Sequence, residues 1–226
     1  MLIENPFPSD CFFAFLKNSD KSEGLFDSEL SICRSYPSQK RRFEFKTGRR
    51  CAHMAIQSAG FQDAPILVNK DRSPIWPASI TGSITHNDQF ASAIIAKPKS
   101  CIISLGIDIE NLNRNFNTDI AKYILTPNEI AKWPFVANEL SEEAKAVFSI
   151  KESIFKCFYP INKIFLDFQD AEVVSIKNGK FKALLFKNPF EQLFKTPIKV
   201  EGIVSLMQDI VFTAIQFTAM QLEDLK

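Results

Sequence analysis

Gly106-Ile107-Asp108-Ile109-Glu110 sets two isoleucines against two carboxylates at alternating positions. Successive side chains of a strand point to opposite faces, so this register sends Ile107 and Ile109 into a core and turns Asp108 and Glu110 together onto the other face. Two carboxylates side by side oppose each other's ionisation, and a hard divalent cation with oxygen ligands is the usual relief. Downstream, Phe148-Ser149-Ile150-Lys151-Glu152-Ser153-Ile154-Phe155-Lys156 adds a third carboxylate, Glu152, and an ammonium, Lys156. The two stretches together offer three acids and a lysine for one divalent cation and a pyrophosphate.

The strand is expected to run from Cys101 to Glu110, with Ile102, Ile103 and Leu105 suited to burial. Thr126-Pro127-Asn128-Glu129 has the form of a capping box with Pro at the first helical position. Ser141 opens a longer helix, which Pro160 is expected to end near Tyr159; Val147, Ile150, Ile154 and Phe158 recur at three-to-four spacing as its core face. Lys145, Ser149, Glu152 and Lys156 form a second stripe, which taken alone reads as a solvated face with an i, i+4 ion pair. Asn178-Gly179 between apolar runs predicts a type I′ hairpin, and Val211 to Phe217 a late strand. In the first half, residues 11 to 16 read as a buried strand and Ser38 to Ala59 as a basic helix, with Pro37 near its start and Gly60 as its stop. Gly48 inside that helix costs about 1 kcal/mol relative to Ala, so it is either tolerated or marks a close approach. Pro65, Pro74 and Pro77 around Trp76 predict an irregular segment; Ser79 to Thr85 and Phe90 to Ala96 predict antiparallel strands joined by His86-Asn87-Asp88-Gln89. The expected class is α+β, in two similar lobes over residues 1–103 and 104–226, each a helix on a small antiparallel sheet.

A chain of 226 residues is long enough for such an arrangement without disulfide or metal staples. Its 22 phenylalanines mark a core built from Phe where other chains use Leu. A net charge of +1 creates no global field for nucleic acid or an anionic membrane, so any basic site is local. Cys11, Cys33, Cys51, Cys101 and Cys157 are odd in number, widely spaced and without a Cys-x-x-Cys pair, which reads as buried thiols of a reducing compartment. The N-terminal stretch has no early basic residues, and its apolar run from Cys11 to Leu16 is too short for a signal peptide or a membrane span, so a cytoplasmic protein is the expectation.

The two stretches resemble the signature of the 4'-phosphopantetheinyl transferases, in particular the two-lobed type that serves enterobactin (siderophore) synthesis and related pathways. That family carries a Gly-Ile-Asp-x-Glu strand, matched by Gly106 to Glu110, and a Trp/Phe-Ser-x-Lys-Glu-Ser/Ala-x-x-Lys helix, matched by Phe148 to Lys156. Weaker matches are Phe45-Lys46-Thr47-Gly48-Arg49, Arg72-Ser73-Pro74-Ile75-Trp76-Pro77 and Gly82-Ser83-Ile84-Thr85-His86, so the resemblance spans roughly residues 40 to 160. Phe148 stands where many relatives have Trp, and Thr85 replaces the usual Ser before His86.

The resemblance implies a pseudo-two-fold monomer that moves 4'-phosphopantetheine from coenzyme A to a serine of an apo acyl, aryl or peptidyl carrier protein, releasing adenosine 3',5'-bisphosphate. It implies that Asp108, Glu110 and Glu152 hold Mg²⁺, that Lys156 and His86 flank the pyrophosphate, and that Glu152 takes the serine proton. The second lobe thereby supplies metal and base and the first supplies nucleotide contacts, with the active site between them. The basic run Lys40-Arg41-Arg42 with Lys46, Arg49 and Arg50 is by default a solvated face, but a coenzyme A 3'-phosphate rewards Arg forks and Lys point charges alike, which puts forward Arg49 and Arg72, then Arg42. Lys151 points away from the acidic stripe, towards the carrier or the nucleotide, and His53 has no assigned role. Two other readings remain open: a Mg²⁺-dependent phosphodiesterase or nuclease, which near-zero charge and the lack of aromatic-interleaved basic tracts disfavour, and an inactive coenzyme A or carrier-protein binding module. Which carrier it serves is not legible at motif level.

Overall fold

Alternation in the first half folds into a three-stranded antiparallel sheet, and the basic stretch after it becomes the helix that covers it. A computed structural model describes residues 3–77, 80–97, 100–113, 118–133, 140–187, 189–190 and 197–224. The chain divides into two units, one ending at Leu105 and the other beginning at Gly106.

In the first unit the sheet has the order β1 (Cys11–Lys17), β5 (Phe90–Ala96), β4 (Thr81–His86). Ala14 and Ile84 both lie opposite Ala93 in the two antiparallel registers. Helix α1 (Asp27–Ser35) precedes the long helix α2 (Gln39–Ser58), which Ser38 caps by accepting from the Arg41 amide. Cys51, Ala52, Ala55 and Ile56 of α2 meet Ala14, Ala91, Ala93 and Ile95 of the sheet, with Ile66 closing the core. A Cβ added at Gly48 would lie 3.0 Å from Ile84 Cγ2, so the glycine marks a close approach of α2 to β4. The proline-rich segment is not wholly irregular: β2 (Leu67–Val68) and β3 (Pro74–Ile75) form a small hairpin. Ser79, expected to open β4, lies outside the described residues.

The second unit is a five-stranded sheet in the order β6 (Ile102–Asn111), β10 (Ile210–Thr218), β9 (Ile198–Met207), β8 (Lys180–Leu185), β7 (Ala171–Lys177). The strands from β7 to β10 form an antiparallel meander. Asn178 and Gly179 join β7 to β8 with φ of 53° and 73°, the left-handed pair that a type I′ turn demands. Helices α3 (Thr118–Ile124) and α4 (Pro127–Lys132) lead to α5 (Glu142–Asn162), and α6 (Ala219–Asp224) follows β10. The capping box at Thr126 forms, with Thr126 accepting from the Glu129 amide and Glu129 from the Thr126 amide. Pro160 does not end α5. In the last turn its missing N–H forfeits only one bond, and the helix runs on to Asn162 before Lys163 turns left-handed at φ 63°.

Val147, Ile150, Ile154 and Phe158 of α5 are buried, and the helix packs on β10. Each unit thus lays a long amphipathic helix on an antiparallel sheet, an α+β architecture. Among the described residues no helix is long and apolar enough to cross a membrane. All five cysteines are free; Cys101 is exposed and the other four are buried, which corrects the expectation that every thiol is interior.

Candidate functional site

In the second unit, β6 is buried on both faces. Ile107 and Ile109 are fully enclosed on one, and Asp108, only 3% exposed, lies on the other under α5. The stripe Lys145, Ser149, Glu152, Lys156 is not a solvated face: Ser149 is fully buried, Lys145 nearly so, and Glu152 and Lys156 are half-buried. Lys145 donates to the Leu112 carbonyl, and Ser149 Oγ donates to Asp108 Oδ2 at 2.8 Å. Lys156 Nζ donates to Asp108 Oδ1 at 2.6 Å. Burial pulls the Lys156 ammonium down, but Asp108, Glu152 and Glu110 more than offset this and hold its pKa above the ordinary lysine value. Burial pushes the Glu152 carboxyl up, Lys156 draws it down, and Asp108 adds to the rise, leaving it above the usual carboxylate range.

Three carboxylates therefore act on one ammonium, and among these four side chains two negative charges are left unbalanced. As they stand, no three His, Cys, Asp or Glu side chains among the described residues are close enough together to enclose a metal ion. The donor chemistry still suits a hard divalent cation, because every acceptor is an oxygen and the charge excess matches its charge. The place beside Asp108 is held by Lys156.

Glu152 also lines a cavity of about 330 Å³ whose walls include Phe155, Phe165, Leu166 and Phe168. Lys151 reaches its rim but is committed elsewhere. Its ammonium donates to Glu129 Oε2 at 2.6 Å and to the Ile124 and Phe168 carbonyls at 2.8 Å, holding α4 and the Phe168–Asp170 turn to α5. A role for Lys151 in touching carrier or nucleotide directly does not fit this geometry; as a brace for the cavity wall it does.

The first unit holds a cationic cleft. His86 ends β4, Arg72 projects from the β2–β3 turn with φ 68°, and Arg41, Glu44, Gly48 and Arg49 line it from α2. Arg41 contacts His86 Nε2, lies 3.3 Å from Glu44 Oε2 and caps the Tyr36 ring at 5.3 Å. Against Arg41, Arg49 and Arg72 stands one carboxylate, Glu44, so the cleft suits an anion. Sequence reasoning put forward Arg42 and missed Arg41. Residues 41, 44, 45, 48 and 49 recur at helical spacing on one stripe while Arg42 lies about 100° away from Arg41, a signal present in the periodicity of α2.

Arg49 lies at the floor of this cleft but is largely spent on structure. It is 6% exposed, donates from Nε to the Ile66 carbonyl at 2.8 Å and from Nη2 to the Leu67 carbonyl at 3.4 Å, and lies over the Phe45 ring. Burial lowers its pKa to about 10, against the pull of Glu29. Beside it, His53 is clamped between Glu29, 3.0 Å from Nε2, and Asp63, 2.6 Å from Nδ1, while Glu29 also accepts from the Ile66 amide. Neutral imidazole has a single N–H, so only the imidazolium satisfies both carboxylates.

Burial alone would lower the His53 pKa, but Glu29 and Asp63 raise it above 6.5. A raised histidine contributes stability that is complete below its unfolded pKa and is lost as pH rises through the folded one. Urea midpoints are accordingly expected to fall from pH 6 towards alkaline pH, and His53→Gln is expected to flatten that slope. Equal slopes in the two proteins would remove the imidazolium clamp.

Comparison with known proteins bears on both units. Residues 29–96 match the family model described as 4'-phosphopantetheinyl transferase N-terminal domain, and residues 104–204 match that of the 4'-phosphopantetheinyl transferase superfamily. The chain is similar to 4'-phosphopantetheinyl transferase Svp of Streptomyces mobaraensis, 34% identical over 71% of this chain and 65% of the relative. It is similar to 4'-phosphopantetheinyl transferase PptT of Mycobacterium tuberculosis, 33% identical over 59% of this chain and 58% of the relative. Enterobactin synthase component D of Escherichia coli strain K12 is 30% identical over 59% of this chain and 63% of its own length. The chain thus spans less than two thirds of the length of each of these relatives.

Proposed function

We propose that this chain, which belongs to the 4'-phosphopantetheinyl transferase superfamily, transfers 4'-phosphopantetheine from coenzyme A to a serine of an apo acyl, aryl or peptidyl carrier protein. The observation that carries the reading is the set of three carboxylates acting on Lys156 beside an apolar cavity. In this reading the serine Oγ attacks the phosphorus next to pantetheine, the bond from that phosphorus to its bridging oxygen breaks, and adenosine 3',5'-bisphosphate leaves. Glu152 takes the serine proton, a task its raised pKa favours. Lys156 has a permanent charge to offer the pyrophosphate oxygens, and His86, with Arg41 and Arg72 beside it in the cationic cleft, adds donors for phosphate groups. Phe155, Phe165, Leu166 and Phe168 offer the pantetheine arm an apolar wall.

Asp108, Glu110 and Glu152 are the residues that would hold Mg²⁺, which when bound supplies neutralisation of charge on the pyrophosphate. The all-oxygen donor set and its two unbalanced charges support this assignment. Residues 1–103 as the nucleotide-contacting lobe and 104–226 as the acid-bearing lobe remain part of the same proposal.

Incubating the protein with coenzyme A, MgCl₂ and a panel of acyl, aryl and peptidyl carriers is expected to add one phosphopantetheine to at least one carrier by intact mass. Adenosine 3',5'-bisphosphate is expected in equal amount, and only when a carrier is present. No mass gain on any carrier overturns the reading, and nucleotide cleavage without a carrier replaces it with hydrolysis.

A further inference from the structure

Thr213 is a fully buried polar residue within an apolar run of β10. Val211, Phe212, Ala214 and Ile215 around it are buried and apolar, and Thr213 itself is 0% exposed. Valine has nearly the same shape, and a buried hydroxyl is costly unless bonded, so the hydroxyl needs a use. It has one: Thr213 Oγ1 donates to the Ser149 carbonyl at 2.9 Å and lies 3.0 Å from Ser149 Oγ. Ser149 Oγ is in turn 2.8 Å from Asp108 Oδ2.

Proton inventory fixes the direction of this chain. A carboxylate only accepts, so the single Ser149 hydroxyl proton goes to Asp108. Ser149 Oγ can then only accept from Thr213, whose proton is shared between the Ser149 oxygens. Each donation polarises the next, so Thr213 strengthens the bond by which Ser149 holds Asp108. Lys156 holds the other oxygen of the same carboxylate.

We propose that Thr213 is a positioning residue that aims the Asp108 carboxylate, acting through Ser149. The inference deepens the transferase reading and rests on Asp108 serving as a Mg²⁺ ligand there. Thr213 touches no reacting group; it fixes the side chain that does. Residues that orient a metal ligand typically change metal affinity when removed, even where the fold is intact.

The test is Mg²⁺ titrated calorimetrically into the protein with coenzyme A, for wild type, Thr213→Val and Thr213→Ser. Thr213→Val is expected to weaken the Mg²⁺ Kd by about 10-fold and Thr213→Ser by no more than about 2-fold. Thr213→Val is expected to stay folded with a modestly lower thermal midpoint, because Ser149 loses a buried donor, so the Mg²⁺ affinity is read on folded protein. In a Ser149→Ala background, Thr213→Val is expected to add no further loss of Mg²⁺ affinity. Should Thr213→Val fail to fold, Thr213→Ala carries the same expectation without the added methyl. Wild-type Mg²⁺ affinity in the hydroxyl-free variant, or full additivity with Ser149→Ala, overturns the relay while leaving the transferase reading in place. A wild-type protein that labels carriers but takes up no Mg²⁺ overturns the metal assignment and the relay together.

Discussion

Asp108→Asn is expected to lower carrier labelling by about 100-fold to 1,000-fold, as for loss of a group central to phosphoryl-transfer electrostatics. Asparagine keeps the shape and removes the charge. One of its two terminal groups becomes a donor, and both oxygens of Asp108 already accept, one from Ser149 and one from Lys156. Turned one way the amide nitrogen meets the Lys156 ammonium, donor against donor; turned the other it can only donate to Ser149 Oγ, which must then send its own proton to Thr213 and not to residue 108. The charge excess of the cluster also falls from two to one, which weakens its hold on a divalent cation while Glu110 and Glu152 stay in place. Because Lys156 retains 27% of its side-chain exposure, its ammonium can find water when Asp108 is neutralised. The protein is therefore expected to stay folded, and turnover by intact-mass labelling is the measurement. Turnover near wild type in a folded Asp108→Asn protein would remove Asp108 from the chemistry.

The elements that carry these groups were the legible part of the chain. The Asp108/Glu110 alternation lies on β6, and the Val147-Ile150-Ile154-Phe158 periodicity lies on the buried face of α5, because one period dominates each stretch. Less legible was what each polar side chain would meet. The stripe from Lys145 to Lys156 has the local look of a solvated face, and only the packing of α5 over β6 turns it inward. Lys151 could not be told from a ligand-binding lysine, since its partners Ile124, Glu129 and Phe168 lie in three separate segments. Glu29 on α1 and Arg49 on α2 likewise converge on Ile66, a contact that no local spacing encodes. Arg41 is a different kind of miss, because the period of α2 already separated it from Arg42. Thr213 was visible only as one polar residue in an apolar run. Its meaning required Ser149 to be seen opposite it.

Gly106→Ala is expected to cost about 3 kcal/mol or more in urea unfolding, at the upper end of overpacking, and to depress labelling as well. The glycine has no left-handed backbone to explain it. What it supplies is space: a Cβ there would lie 1.9 Å from the Ser153 carbonyl oxygen and 2.7 Å from the Cys157 amide nitrogen. Both obstacles are backbone atoms of α5, so no side chain can swing away, and the helix itself would have to retreat from β6. That retreat would act on the turn that carries Lys156 and on Ser149 one turn earlier, the two groups that hold Asp108. Gly60→Ala separates this effect from backbone strain, because its φ is +76° and nothing lies within 4 Å of an added Cβ. That variant is expected to lose about 1 kcal/mol with labelling unchanged. If Gly106→Ala unfolds at the wild-type midpoint, β6 and α5 are not as close as the glycine allows. If it is destabilised but labels normally, the spacing of β6 and α5 serves the fold and not the chemistry. The glycine of the Gly-Ile-Asp stretch is on this account the condition for α5 to deliver a serine and a lysine to one carboxylate.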